Sequence, residues 1–145
     1  MFHLLDINVL IALSDPGSDF HAAALRWTEG LKQPALATCP LTENGFLRVY
    51  GHPQYPGGPG SISVALTPLR VIRRRPNHVF LADDYSLADA KQVLDLSGCS
   101  PKQLTDMYLL GLAARHGGKF ATFDAHAPVK WLRDGAKALE VISPK

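Results

Sequence analysis

The chain has 145 residues, 46% apolar, 19% charged and 8% aromatic, and its 15 Lys and Arg against 13 Asp and Glu give a formal charge of +2. That size fits a single domain spanning residues 1–145, large enough to bury roughly 70% of its unfolded surface without disulfides or a structural metal. The charge balance excludes a polycationic nucleic-acid coat and an acidic disordered tail alike, so any electrostatic specialisation has to be local.

In chain order, Phe2–Leu5 is a short apolar run closed by Asp6, and Asn8–Leu13 opens a helix that Asp15-Pro16-Gly17 stops. Ser18 or Asp19 is the expected cap of a second helix, with Phe20, Ala23, Ala24 and Trp27 at i, i+3, i+4 and i+7 and Pro34 as its limit. Ala35–Thr38 reads as a second strand. Pro40 suits the first position of the next helix, in which Leu41, Gly45, Phe46 and Val49 share a face and Glu43 lies in the first turn. The Gly- and Pro-rich segment 51–60 reads as a surface loop, and Ser61–Arg75 as a helix despite Pro68.

Val79–Ala82 is a third expected strand, after which Ser86-Leu87-Ala88-Asp89 resembles a capping box opening a helix to about Leu96. Ser100-Pro101 starts another helix, with Leu104, Tyr108, Leu109, Leu112 and Ala113 on its apolar face and Gly117-Gly118 at its end. Lys119–Phe123 is a strand stopping at Asp124, and Ala138–Ile142 is the last. Short strands alternating with helices predict an α/β fold with three layers: a largely parallel central sheet with helices on both faces. Cys39 and Cys99 form no CxxC pair and read as reduced, buried thiols. The N-terminal apolar stretch has no cationic leader, and no transmembrane-length apolar run occurs, so a cytoplasmic chain is expected.

In an open parallel sheet, ligands bind along the rim where strands end and helices begin. Asp6 closes the first strand, Glu43 opens the helix after the second, Asp106 lies early in the helix before the fourth, and Asp124 closes that strand. All four acids are expected at one edge. At about 5 Å and an effective dielectric near 20, each ionised pair would cost roughly 3 kcal/mol. A divalent cation removes that conflict, and an all-oxygen donor set without His or Cys at ligand spacing selects Mg²⁺, or Mn²⁺, over Zn²⁺. Such an ion suits hydrolysis of a phosphodiester by water. Asn8, Thr105 and Thr122 accompany three of the acids and read as groups that orient carboxylates or meet substrate oxygens, the plainer alternative being helix capping.

Leu4-Leu5-Asp6-Ile7-Asn8-Val9-Leu10-Ile11, Thr42-Glu43, Leu104-Thr105-Asp106 and Ala121-Thr122-Phe123-Asp124, in that order and spacing, resemble the PIN-domain ribonucleases, and in particular the VapC-type toxins of bacterial toxin–antitoxin pairs. The likeness runs from Phe2 to about Val141. It implies an endoribonuclease in which Asp6, Glu43, Asp106 and Asp124 bind Mg²⁺ and Asn8 and Thr105 are polar companions. It further implies a homodimer and a cognate antitoxin whose tail enters the acidic cleft. Some relatives carry a further acid after the last motif, where this chain has Ala125 and His126.

The remaining candidates read as structural. Asp83 and Asp84 suit helix caps or first turns, Asp15 and Asp19 suit turns and caps, and the six histidines are scattered. Arg73-Arg74-Arg75 is the one dense basic run and reads as a solvated face, with phosphate contact as its functional alternative. Phe20, Trp27, Phe46 and Tyr108 read as core or dimer contacts. Two rival functions compete with the nuclease reading. A phosphatase with Asp6 as nucleophile lacks the usual acid two residues on, where Asn8 stands. A catalytically silent RNA- or protein-binding module would use the acids only as a docking cleft.

Overall fold

Four-residue apolar runs bounded by Asp, Pro and Gly leave room only for short strands, and five form. They are β1 (Phe2–Leu5), β2 (Ala35–Thr38), β3 (Val79–Phe80), β4 (Lys119–Thr122) and β5 (Leu139–Val141). The computed structural model describes residues 1–89 and 91–145. The strands pair in parallel throughout, in the order β3-β2-β1-β4-β5. The helices are α1 (Ile7–Ser14), α2 (His21–Gly30), α3 (Pro40–Tyr50), α4 (Ile62–Arg73), α5 (Pro101–Arg115) and α6 (Gly135–Ala138), with a 3₁₀ turn at Val129–Trp131.

This order starts the chain in the middle of the sheet. Strands β2 and β3 are added on one side of β1, and β4 and β5 on the other. Right-handed crossovers then force α1–α4 onto one face and α5 and α6 onto the opposite face. The pleat shows the result as two separate cores: Leu5, Leu36 and Ala121 pack with α1, α3 and α4, whereas Leu4, Ala37 and Phe120 pack with α5. The direction of winding reverses between β1 and β4, and a crevice opens at such a reversal, outside the carboxyl ends of the strands. The expected α/β three-layer architecture is therefore the observed one. Among the described residues no helix is long and apolar enough to cross a membrane.

Several local expectations are corrected. Between residues 86 and 96 the described residues form turns and one bridge, Val93 to Leu132, instead of a helix; Ala90, inside the expected helix, lies outside the described residues. Ser86 accepts from the Ala88 amide at 3.1 Å, but that turn is not propagated, and Val93 and Leu96 pack half-buried against the core from irregular chain. β3 stops at Phe80, short of Ala82. The N-cap position of α2 is Phe20, with Ser18 accepting from its amide at 3.1 Å. The buried face of α3 is Thr42, Gly45, Phe46 and Tyr50, and Leu41 is exposed; Leu104 on α5 is exposed too. Of the two thiols only Cys39 is buried, while Cys99 is half-buried, and neither is in a disulfide.

Two features hold the acidic rim in shape. Gly45 lies where α3 crosses α1, and a Cβ there would collide with the Ile7 side chain, so only glycine lets the two helix starts approach this closely. The loop 51–60 is anchored by Tyr55, whose hydroxyl donates to Asp15 Oδ2 at 2.9 Å and whose ring stands edge-on to Tyr50 at 5.0 Å.

Candidate active site

Asp6 sits one residue past β1 and is the N-cap of α1, with extended backbone that turns the chain from strand to helix. Its Oδ1 accepts from the Ile7 amide and its Oδ2 from the Thr122 hydroxyl, each at 2.7 Å. Only 8% of the residue is exposed. Burial pushes its carboxyl above the usual carboxylate range; the Thr122 and Ile7 hydrogen bonds pull against that rise, and the charge of Asp124 adds to it.

Across the reversal point, Asp124 follows β4. Its amide donates to Thr122 Oγ1 at 3.1 Å, and its Oδ1 accepts from the His126 amide at 2.8 Å. Thr122 is therefore the strut of the site. One buried hydroxyl donates to Asp6 and accepts from Asp124, tying the ends of the two central strands together. Asp106, in the second turn of α5, completes a group of three. Its carboxyl is pushed up to about 6, first by burial and then by the charges of Asp6 and Asp124. The charges of Asp6 and Asp124 thus reach Asp106, and the chemistry of the three is that of hard oxygen donors for a divalent cation.

Glu43 stands on the same rim, in the first turn of α3, but its carboxylate is engaged elsewhere. It accepts from the Thr38 hydroxyl at 2.6 Å and forms an ion pair with Arg73 from the end of α4. Because Thr38 gives its single proton to Glu43, the 2.8 Å contact between Thr38 Oγ1 and His78 Nε2 requires an N–H on the imidazole. The charges that raise Asp106 are those of Asp6 and Asp124, not of Glu43. Among the described residues no three acid, imidazole or thiol side chains stand at the spacing that would enclose an ion. The three aspartates nevertheless fit such an ion by donor type and by the mutual repulsion that it would relieve.

Asn8 is exposed in the first turn of α1 beside Asp6, and Thr105 is exposed on α5 beside Asp106. Asp83 and Asp84 do structural work, although no helix directly follows them among the described residues. Asp83 accepts from the Leu41 amide at the start of α3 at 3.2 Å and from the Tyr108 hydroxyl at 3.0 Å, while Asp84 pairs with His116 at 2.9 Å and Arg115 at 3.3 Å. Sequence reasoning missed the Arg73–Glu43 pair. The two residues are thirty positions apart, and the basic run offers no local sign of which arginine turns inward.

A family model for the PIN domain matches residues 3–129. Over 122 residues the chain is 43% identical to Ribonuclease VapC44 of Mycobacterium tuberculosis, an alignment covering 83% of this chain and 84% of that protein. From the same organism, Ribonuclease VapC38 is 40% identical over 122 residues, covering 84% of each chain. Ribonuclease VapC39, also from that organism, is 35% identical over 125 residues, covering 86% of this chain and 90% of its own. With these matches spanning most of its length, the chain belongs to the PIN-domain family and is a VapC-type member of it.

Proposed function

We propose that this protein is a Mg²⁺-dependent endoribonuclease, with Mn²⁺ as an alternative ion, acting as the toxin of a type II toxin–antitoxin pair. The observation that carries the reading is the grouping of Asp6, Asp106 and Asp124 at the winding reversal of the sheet, where burial and then the charges of Asp6 and Asp124 raise the Asp106 carboxyl. These three residues would hold the ion, with Glu43 as a fourth ligand once Arg73 releases it. When bound, the cation supplies charge neutralisation and Lewis acidity for attack of water on a phosphodiester.

The chain's own residues do the positioning. Thr122 fixes the rotamer of Asp6 through its hydroxyl. Asn8 and Thr105 offer an amide and a hydroxyl to RNA oxygens beside the acids. Water is the nucleophile, so no side chain is modified during turnover. A homodimer, a cognate antitoxin that inhibits the cleft and a cytoplasmic location complete the proposal; they rest on kinship.

The test compares RNA cleavage by the wild type and by Asp6→Asn, each with Mg²⁺ and with chelator. Cleavage confined to the wild type with metal is expected. Equal activity in all conditions removes the metal mechanism, and RNA binding with no cleavage in any condition favours the silent docking module instead.

A further inference from the structure

Beside the aspartates the surface opens into a hollow of about 460 Å³, with Asn8, Phe20, Tyr55, Phe123 and Asp124 in its lining. That volume is in the range of small-molecule sites. Phe20, which its spacing marks as a core or dimer contact, is 43% exposed, and its ring stands 4.9 Å from that of Phe123 at a 36° tilt. The two rings make an aromatic wall that begins one residue before Asp124. The Tyr55 side is held in place by Asp15 and Tyr50, so the hollow is formed before any ligand arrives. At its lip the exposed amide of Asn8 offers both a donor and an acceptor. A second hollow, lined by Arg48 and His52, shares Val49 and Tyr55 with the first, so the groove continues toward a guanidinium.

The electrostatics say what such a groove needs to take. Even with one divalent cation bound, three carboxylates leave the rim without net positive charge, so affinity beside them cannot rest on phosphate attraction alone. Stacking on aromatic side chains supplies the further contact for single strands, because every base has a π face. We propose that the Phe20–Phe123 hollow receives one unpaired nucleobase of the RNA, with Asn8 at the base edge and the strand running on toward Arg48. The inference rests on the nuclease reading above and adds to it where the substrate's base is held.

The experiment measures binding of short single-stranded homopolymers of A, C, G and U, and of an abasic ribose-phosphate strand of equal length, by fluorescence anisotropy. The non-cutting Asp106→Asn protein serves as parent. Phe20→Leu keeps apolar bulk against Phe123 but removes the π face. It should weaken the base-bearing strands by roughly ten-fold and leave the abasic strand unchanged, and Phe20→Trp should restore binding. Parental affinity of Phe20→Leu for every strand, or an equal loss on the abasic strand, overturns the proposal. So does unchanged RNA binding together with loss of a co-purifying antitoxin, which would give the hollow to a protein side chain. Cleavage separates the two levels. If the wild type cuts RNA and Phe20→Leu cuts it at the same rate and sites, only the base pocket fails. If the wild type cuts nothing with Mg²⁺ or Mn²⁺, the nuclease reading fails whatever Phe20 does to binding.

Discussion

Asp106→Asn should stabilise the metal-free protein while abolishing its activity. The Asp106 carboxyl is pushed from its ordinary value of 3.8 up to about 6. A carboxyl whose folded pKa is raised favours the fold at low pH, where it is protonated in both states, and that contribution is lost as pH rises through 6. The difference of about two pKa units, at 1.36 kcal/mol each, amounts to roughly 3 kcal/mol of destabilisation above pH 7. For a chain of this length that is on the order of 10 °C in Tm. Asparagine has no charge to repel, so the variant escapes the penalty. Thermal unfolding with chelator between pH 4 and 8 should show the variant's advantage near zero at the acid end, growing through pH 6 and flat above 7. Adding Mg²⁺ should then raise the Tm of the wild type and leave the variant nearly unmoved. A stability difference independent of pH across that window would refute the claim that burial and the neighbouring aspartates raise the Asp106 carboxyl.

Thr122→Val keeps the shape of the buried strut but removes a charge-assisted hydrogen bond to Asp6, worth about 1.5–3 kcal/mol, so RNA cleavage should fall by roughly ten- to one-hundred-fold in single-turnover kinetics. Activity within two-fold of wild type would deny Thr122 its positioning role. Arg73→Gln frees Glu43 from a half-exposed ion pair, so the unfolding free energy should change by less than about 1 kcal/mol while the Mg²⁺ concentration for half-maximal cleavage falls. An unchanged metal requirement would show that Arg73 does not compete for Glu43. Gly45→Ala drives a methyl into Ile7 and should cost about 1–3 kcal/mol by denaturant unfolding, with most of the loss recovered in the double variant with Ile7→Val. No recovery would place the strain elsewhere.

What could be read from the sequence was what local physics dictates. Leu4-Leu5 followed by Asp6, or Phe120–Thr122 followed by Asp124, can only be a buried strand ending in a cap or turn acid, and the parallel topology then sends both acids to one edge. The capping box at Ser100 opens α5, which buries Met107 and the run Leu109–Ala113, whereas after the similar signal at Ser86 the apolar contacts are the half-buried Val93 and Leu96, and no helix follows. Phe20 shows the limit of periodicity. Its spacing matches Ala23, Ala24 and Trp27, yet it stands at the helix start, where the chain is leaving the core for the rim, so the same spacing yields exposure. Arg73 shows another limit, since its partner is chosen by how α4 docks beside α3, which no short window of sequence contains.

The place of β1 at the centre of the sheet has a consequence for synthesis. Its neighbour β4 lies 116 residues away along the chain at the Asp6–Thr122 contact, so this half of the sheet cannot zip until the ribosome has made nearly the whole polypeptide. A nascent chain released before that point presents Asp6 without its threonine clamp and without Asp124. In a copy that stops before Thr122 the proposed active site cannot be assembled.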